Sequence, residues 1–99
     1  MSLSESQKKH LRGLGHKLKP LIMIGDGGLS DSVRAEYLST LEHHELIKVK
    51  VRVGDRDVRD SIIATLCEES GAELIQRIGN VALLYRENPD KKRIKLPKA

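Results

Sequence analysis

The chain has 99 residues, 38% of them hydrophobic, which allows one modest core and one domain. Tyr37 and Tyr85 are its only aromatics, which argues against a single-strand binder that stacks bases on aromatic platforms. Its one cysteine excludes an internal disulfide framework and suits a reducing cytoplasm, and no apolar run approaches the ~20 residues of a membrane span. The net charge of +4 is unevenly placed. Lys8, Lys9, Arg12, Lys17 and Lys19 stand against Glu5 in residues 1–20, and Lys91, Lys92, Arg93, Lys95 and Lys98 against Asp90 in residues 88–99. Acidic residues outnumber basic ones between these ends. The chain therefore reads as basic arms on a mildly acidic body, which serves either solubility or a nucleic-acid partner. The polar stretch Met1–His10 is not a signal peptide.

The first predicted element is a helix. Ser4 with Gln7 three residues on fits a capping box. Leu11, Leu14 and Leu18 recur on one apolar face, and Lys9, Arg12 and His16 on another. Gly13 and Gly15 each weaken it by roughly 1 kcal/mol, and Pro20 ends it before Lys19. Leu21–Ile24 is a continuous apolar run, predicted to be a strand buried on both faces. The segment Gly25–Ser30 is a glycine-rich loop, and Ser30 is the N-cap of a second helix over 31–44 with Val33, Tyr37, Leu38 and Leu41 as its buried stripe.

Residues 46–53 alternate, with Ile47, Val49, Val51 and Val53 on one face and Lys48, Lys50 and Arg52 on the other. Asp55 caps a third helix over 56–70, and Gly71 stops it. Two apolar runs, 73–78 and 81–86, flank Gly79-Asn80, a tight hairpin signal. Residues 88–99 form an extended, partly mobile basic tail on a single domain spanning 1–99. As an electrostatic arm the tail is removable without loss of the fold. The order αβαβαββ predicts a two-layer α/β sandwich with three helices and a four-stranded mixed sheet. If the helices cover one sheet face, Lys48, Lys50 and Arg52 point outward, either as a solvated face or as an extension of a basic surface.

The loop carries the chemistry. Gly25-Asp26-Gly27-Gly28 is a G-x-x-G pattern between a strand and a helix start. It lacks the lysine of a nucleotide-triphosphate loop and the third glycine of a dinucleotide loop. It is either a plain tight turn or a cradle for a phosphodiester backbone, as with the short loops that clamp RNA in KH modules. His16, beside Lys17 and Lys19, is a candidate phosphate or ribose contact. No histidine pair has zinc-ligand spacing, Cys67 lies on the apolar side of its helix, and no catalytic constellation is visible. No metal, cofactor, membrane or small-molecule substrate is expected.

Several segments together resemble one family. Leu18-Lys19-Pro20, then Ile24 to Ser30, then His43-His44-Glu45-Leu46-Ile47-Lys48-Val49-Lys50, and the closing Ile78-Gly79 and Leu84-Tyr85-Arg86 are similar to the CRM domain (chloroplast RNA splicing and ribosome maturation), in its bacterial stand-alone YhbY type. The resemblance implies a fold similar to the C-terminal domain of bacterial translation initiation factor three. It also implies RNA binding, association with precursors of the large ribosomal subunit, and no catalysis. It places Gly25, Asp26, Gly27 and Gly28 against RNA. Lys9, Arg12, His16, Lys17 and Lys19 would supply charge, and Lys48, Lys50 and Arg52 would widen the footprint. Asp26 departs from the family, whose loops often hold a basic or neutral polar residue there. The competing reading is a protein-interaction module that docks on ribosomal or other acidic proteins.

Overall fold

A computed structural model describes residues 3–98; Met1, Ser2 and Ala99, the ends of the single-domain span, lie outside the described residues. The elements are α1 (Glu5–Gly15), β1 (Pro20–Ile24), α2 (Asp31–His44), β2 (Leu46–Val51), α3 (Arg56–Ser70), β3 (Glu73–Ile78) and β4 (Val81–Tyr85). Local chemistry sets most of their limits. Ser4 Oγ accepts from the Gln7 N–H at 3.2 Å while Gln7 Oε1 accepts from the Ser4 N–H at 3.0 Å, a complete capping box. Ser30 Oγ accepts from the Val33 N–H, and Asp55 Oδ1 from the Asp57 and Val58 N–H groups, at the starts of α2 and α3.

The sheet order is β1-β2-β4-β3. β1 runs parallel to β2, and β4 runs antiparallel to both β2 and β3. Three helices and a four-stranded mixed sheet are thus as the sequence predicts. Tyr37, Leu41, Ile62, Ile63 and Leu66 of α2 and α3 cover one sheet face, meeting Ile22, Ile24, Ile47, Val49 and Leu84. The other face is not bare. Leu46, Ile75, Leu83 and Tyr85 form a second apolar cluster, sealed by Leu11 of α1 and by Leu3, Ile94 and Leu96 at its margin. The two-layer core therefore gains a partial third layer, because β2 and β4 carry apolar residues on both faces. Leu11 is fully buried, and burying such a side chain contributes about 1.5–3 kcal/mol. Gly15 permits the close approach: a Cβ there would stand 2.5 Å from Leu83 Cδ2.

Three expectations need correction, the first being that Leu38, read as part of the buried stripe of α2, is 40% exposed. β1 is buried on one face only: Ile22 and Ile24 are buried, but Leu21 and Met23 are 52% and 53% exposed. β1 is an edge strand, and α1 packs over β2 and β3, so the second face of β1 stays open. Of the apolar row predicted for the first helix only Leu11 is buried: Leu14 is over a third exposed, and Leu18, also over a third exposed, lies beyond the end of α1 at Gly15.

Tyr85 sits in the second cluster, 5% exposed. Burial, with the charges of Glu45 and Glu87, pushes its phenol up to about 12 from 10.0. The folded protein thus holds this proton more tightly than the unfolded chain. The stabilisation is complete below about pH 10 and is lost as pH rises toward 12. Urea unfolding across this range is expected to show a steeper alkaline loss for the native chain than for Tyr85→Phe; equal slopes would contradict the shift.

Candidate nucleic-acid interface

β1 ends where the Ile24 carbonyl accepts from the Arg52 N–H at 2.6 Å. The chain then reverses through a tight turn, in which the Gly28 N–H donates to the Gly25 carbonyl at 3.0 Å. Gly28 has φ +70, a left-handed conformation that costs other residues about 1–3 kcal/mol. The Ser30 N–H donates to the Gly28 carbonyl, and Ser30 starts α2. Gly25, Asp26 and Gly27 are exposed, and a Cβ at Gly25, Gly27 or Gly28 would meet nothing within 4 Å. The turn therefore offers its backbone to a ligand on an open side. Asp26 stands in it without an ion-pair partner among the described residues.

Register lines three predicted cations along β1, from its start to the base of this turn. Lys48 pairs across the β1–β2 ladder with Pro20, and Lys50 with Met23. Arg52 follows at the base of the turn. Val51 and Val53 join the core under α2 and α3, so Lys48, Lys50 and Arg52 face the α1 side. Lys48 and Lys50 are half-buried there, and Arg52 is exposed. His16, just past α1, lines a groove together with Lys48. Lys9, Lys17 and Lys19 are exposed and Arg12 half-buried, and among the described residues no hydrogen bond or ion pair joins these four side chains to the turn. The structure thus puts Arg52 at the Gly25–Gly28 turn, Lys50 two residues back along β1 and Lys48 at the start of β1 with His16, and among the described residues it shows no contact from the other cations of residues 9–19 to the turn.

Residues 3–86 match the CRS1 / YhbY (CRM) domain family. The chain belongs to the CRM family. It is 44% identical over 97 residues to an RNA-binding protein of Haemophilus influenzae, covering 98% of this chain and 97% of that one. It is also 44% identical over 89 residues to a probable RNA-binding protein of Pseudomonas aeruginosa, covering 90% and 86% of the two chains. Among solved structures it resembles that of a Staphylococcus aureus hypothetical protein, described as a candidate RNA-binding protein. That likeness has a TM-score of 0.80 at 38% identity and covers 97% of this chain and 100% of the other.

The matched CRM span stops at Arg86, and the next segment is held by a residue that the sequence reading passed over. Glu45, between α2 and β2, is fully buried with φ +63. Its carboxylate accepts from the backbone N–H groups of Asn88 at 2.7 Å, Arg93 at 2.6 Å and Ile94 at 2.9 Å. Its own carbonyl accepts from the Arg86 N–H. Asn88 Oδ1 closes the bend by accepting from the Asp90 and Lys91 N–H groups. Further along, Gln7 Nε2 donates to the Pro97 carbonyl. The basic tail is thus laid against the CRM body, with Lys91, Lys92, Lys95 and Lys98 exposed. One signal was available: no glycine or asparagine closes α2, where a left-handed residue commonly stands.

Burial pushes the Cys67 thiol up, away from the thiolate needed for nucleophilic chemistry. Among the described residues no three His, Cys, Asp or Glu side chains form a metal cage.

Proposed function

We propose that this CRM chain is a cytoplasmic, non-catalytic RNA-binding protein that associates with precursors of the large ribosomal subunit and acts in their assembly. The observation that carries the reading is the open Gly25–Gly28 turn with Arg52 at its base and Lys50 and Lys48 following it back along β1. Its exposed N–H groups and the start of α2 meet phosphates, and the cations hold the backbone that follows. Such contacts position RNA without reading its sequence. The ribosomal setting rests on the family resemblance, and the names of the relatives support RNA as the partner.

Affinity for RNA as a function of salt tests the first part. Each neutralised phosphate contributes roughly 0.7–0.9 to the log–log slope, so four contacts give a slope of about −3. A flat dependence between low and moderate salt would overturn phosphate-based binding. Crosslinking in cells, with sequencing of the bound RNA, tests the second part. Enrichment of large-subunit ribosomal RNA is expected, and its absence from the bound pool would overturn the assembly role.

A further inference from the structure

Two irregularities interrupt the sheet ladders. Register shifts between Pro20 and Ile22 on β1, and between Leu74 and Gln76 on β3. Such bulges turn side chains out of their regular alternation. Pro20 and Gln76 both end at one groove of about 230 Å³, on the sheet face that α1 only partly covers. Pro20, Ile78, Val81 and Leu83 make its walls apolar. His16, Lys48 and Gln76 supply its polar groups, and no carboxylate lines it. Ile78 is 66% exposed, unusual for so large an apolar side chain. Among the described residues no hydrogen bond engages the Gln76 amide, the His16 ring or the Lys48 ammonium.

We propose that this groove receives one unpaired nucleobase of a single-stranded RNA segment, whose phosphates continue along Lys48, Lys50 and Arg52 to the Gly25–Gly28 turn. The proposal rests on the RNA-binding reading above and adds where a base is held. Apolar walls suit the faces of a base, and aliphatic side chains can flank it where aromatics are missing. The Gln76 amide carries both donor and acceptor, the pairing that a base edge presents. The volume is below the ~300–1,000 Å³ of drug-sized sites, which favours a single ring system. The geometry also joins the groove to the turn. Pro20 opens β1 and Gly25 follows its end, five residues on, or about 16 Å at ~3.3 Å per residue. Lys50 stands between them, opposite Met23. Cations along the path and no acidic residue in the groove match a polyanion that presents an apolar ring.

The test compares a mixed-sequence single-stranded RNA oligonucleotide with a fully paired RNA duplex of the same length. The variants are Gln76→Ala and Ile78→Ser, singly and together, with thermal unfolding as the control for folding. Ile78 is exposed and Gln76 is outside both apolar clusters, so the fold is expected to persist. The double variant is expected to bind the single strand about tenfold more weakly, in line with the loss of one held base. Its binding to the duplex, whose bases are paired, and its salt slope are expected to be unchanged, since no phosphate contact is removed. Unchanged single-strand binding, or equal weakening on both RNAs, would overturn the groove as a base site while leaving phosphate-based binding intact. Failure of the native chain to bind either RNA would overturn the RNA reading itself, and this proposal with it.

Discussion

Glu45→Ala is expected to lower the unfolding free energy by about 3 kcal/mol or more, read from urea denaturation. Three backbone N–H groups of the tail donate to this one carboxylate. Hydrogen bonds to a charged group contribute about 1.5–3 kcal/mol each, and donors left without a partner add a desolvation cost. Water can reach part of the freed tail, so the loss falls below the simple sum. It is still a large share of the roughly 5–15 kcal/mol that holds a domain folded. Removal of residues 88–99 is expected to cost a similar amount, since it takes away the same donors and strips Ile94 and Leu96 from the second cluster. Because both changes break one linkage, their effects should not add. A loss below about 1 kcal/mol for Glu45→Ala would show that the carboxylate does not hold the tail. The tail is therefore not the freely removable arm that its charge suggests.

Asp26→Lys is expected to tighten RNA binding by about 30-fold at low salt. A unit charge ~4 Å from a phosphate is worth about 1 kcal/mol in water, and the substitution replaces one repulsion with one attraction. The gain should shrink as salt shortens the screening length to ~10 Å and below. Asp26→Asn, which only removes the repulsion, should give roughly half of the effect in free energy. Neither change should alter stability, because the Asp26 side chain is exposed and makes no ion pair among the described residues. Titration of a labelled RNA oligonucleotide measures the effect, and unchanged affinity would place the turn away from the RNA.

What the sequence revealed was whatever local chemistry decides. The Ser4, Ser30 and Asp55 caps, the Gly71 stop and the Gly79-Asn80 hairpin depend on residues within a few positions, so the helices and the hairpin were legible. The exposure of Leu21 and Met23 was not. An apolar run looks the same in a central strand and at an edge, and only the strand order separates the two. Glu45 was hidden for a similar reason: its partners lie 43 to 49 residues further on. At the interface, the strict alternation of β2 put Lys48, Lys50 and Arg52 on one face. That His16 would join Lys48 in a groove depended on where α1 packs and on two bulges, neither of which leaves a local signature.

Of the four described strands, the last in chain order is an inner one. β4 lies between β2 and β3 and, among the described residues, is the strand that links the β1–β2 pair to β3. As the chain leaves a ribosome, β1, α2, β2 and α3 emerge with one long edge of β2 unpaired, and β3 has nothing to bind until Val81–Tyr85 appears. The two halves of the sheet therefore join only once β4 is made. A nascent chain stalled before residue 81 exposes a β2 edge that invites intermolecular pairing.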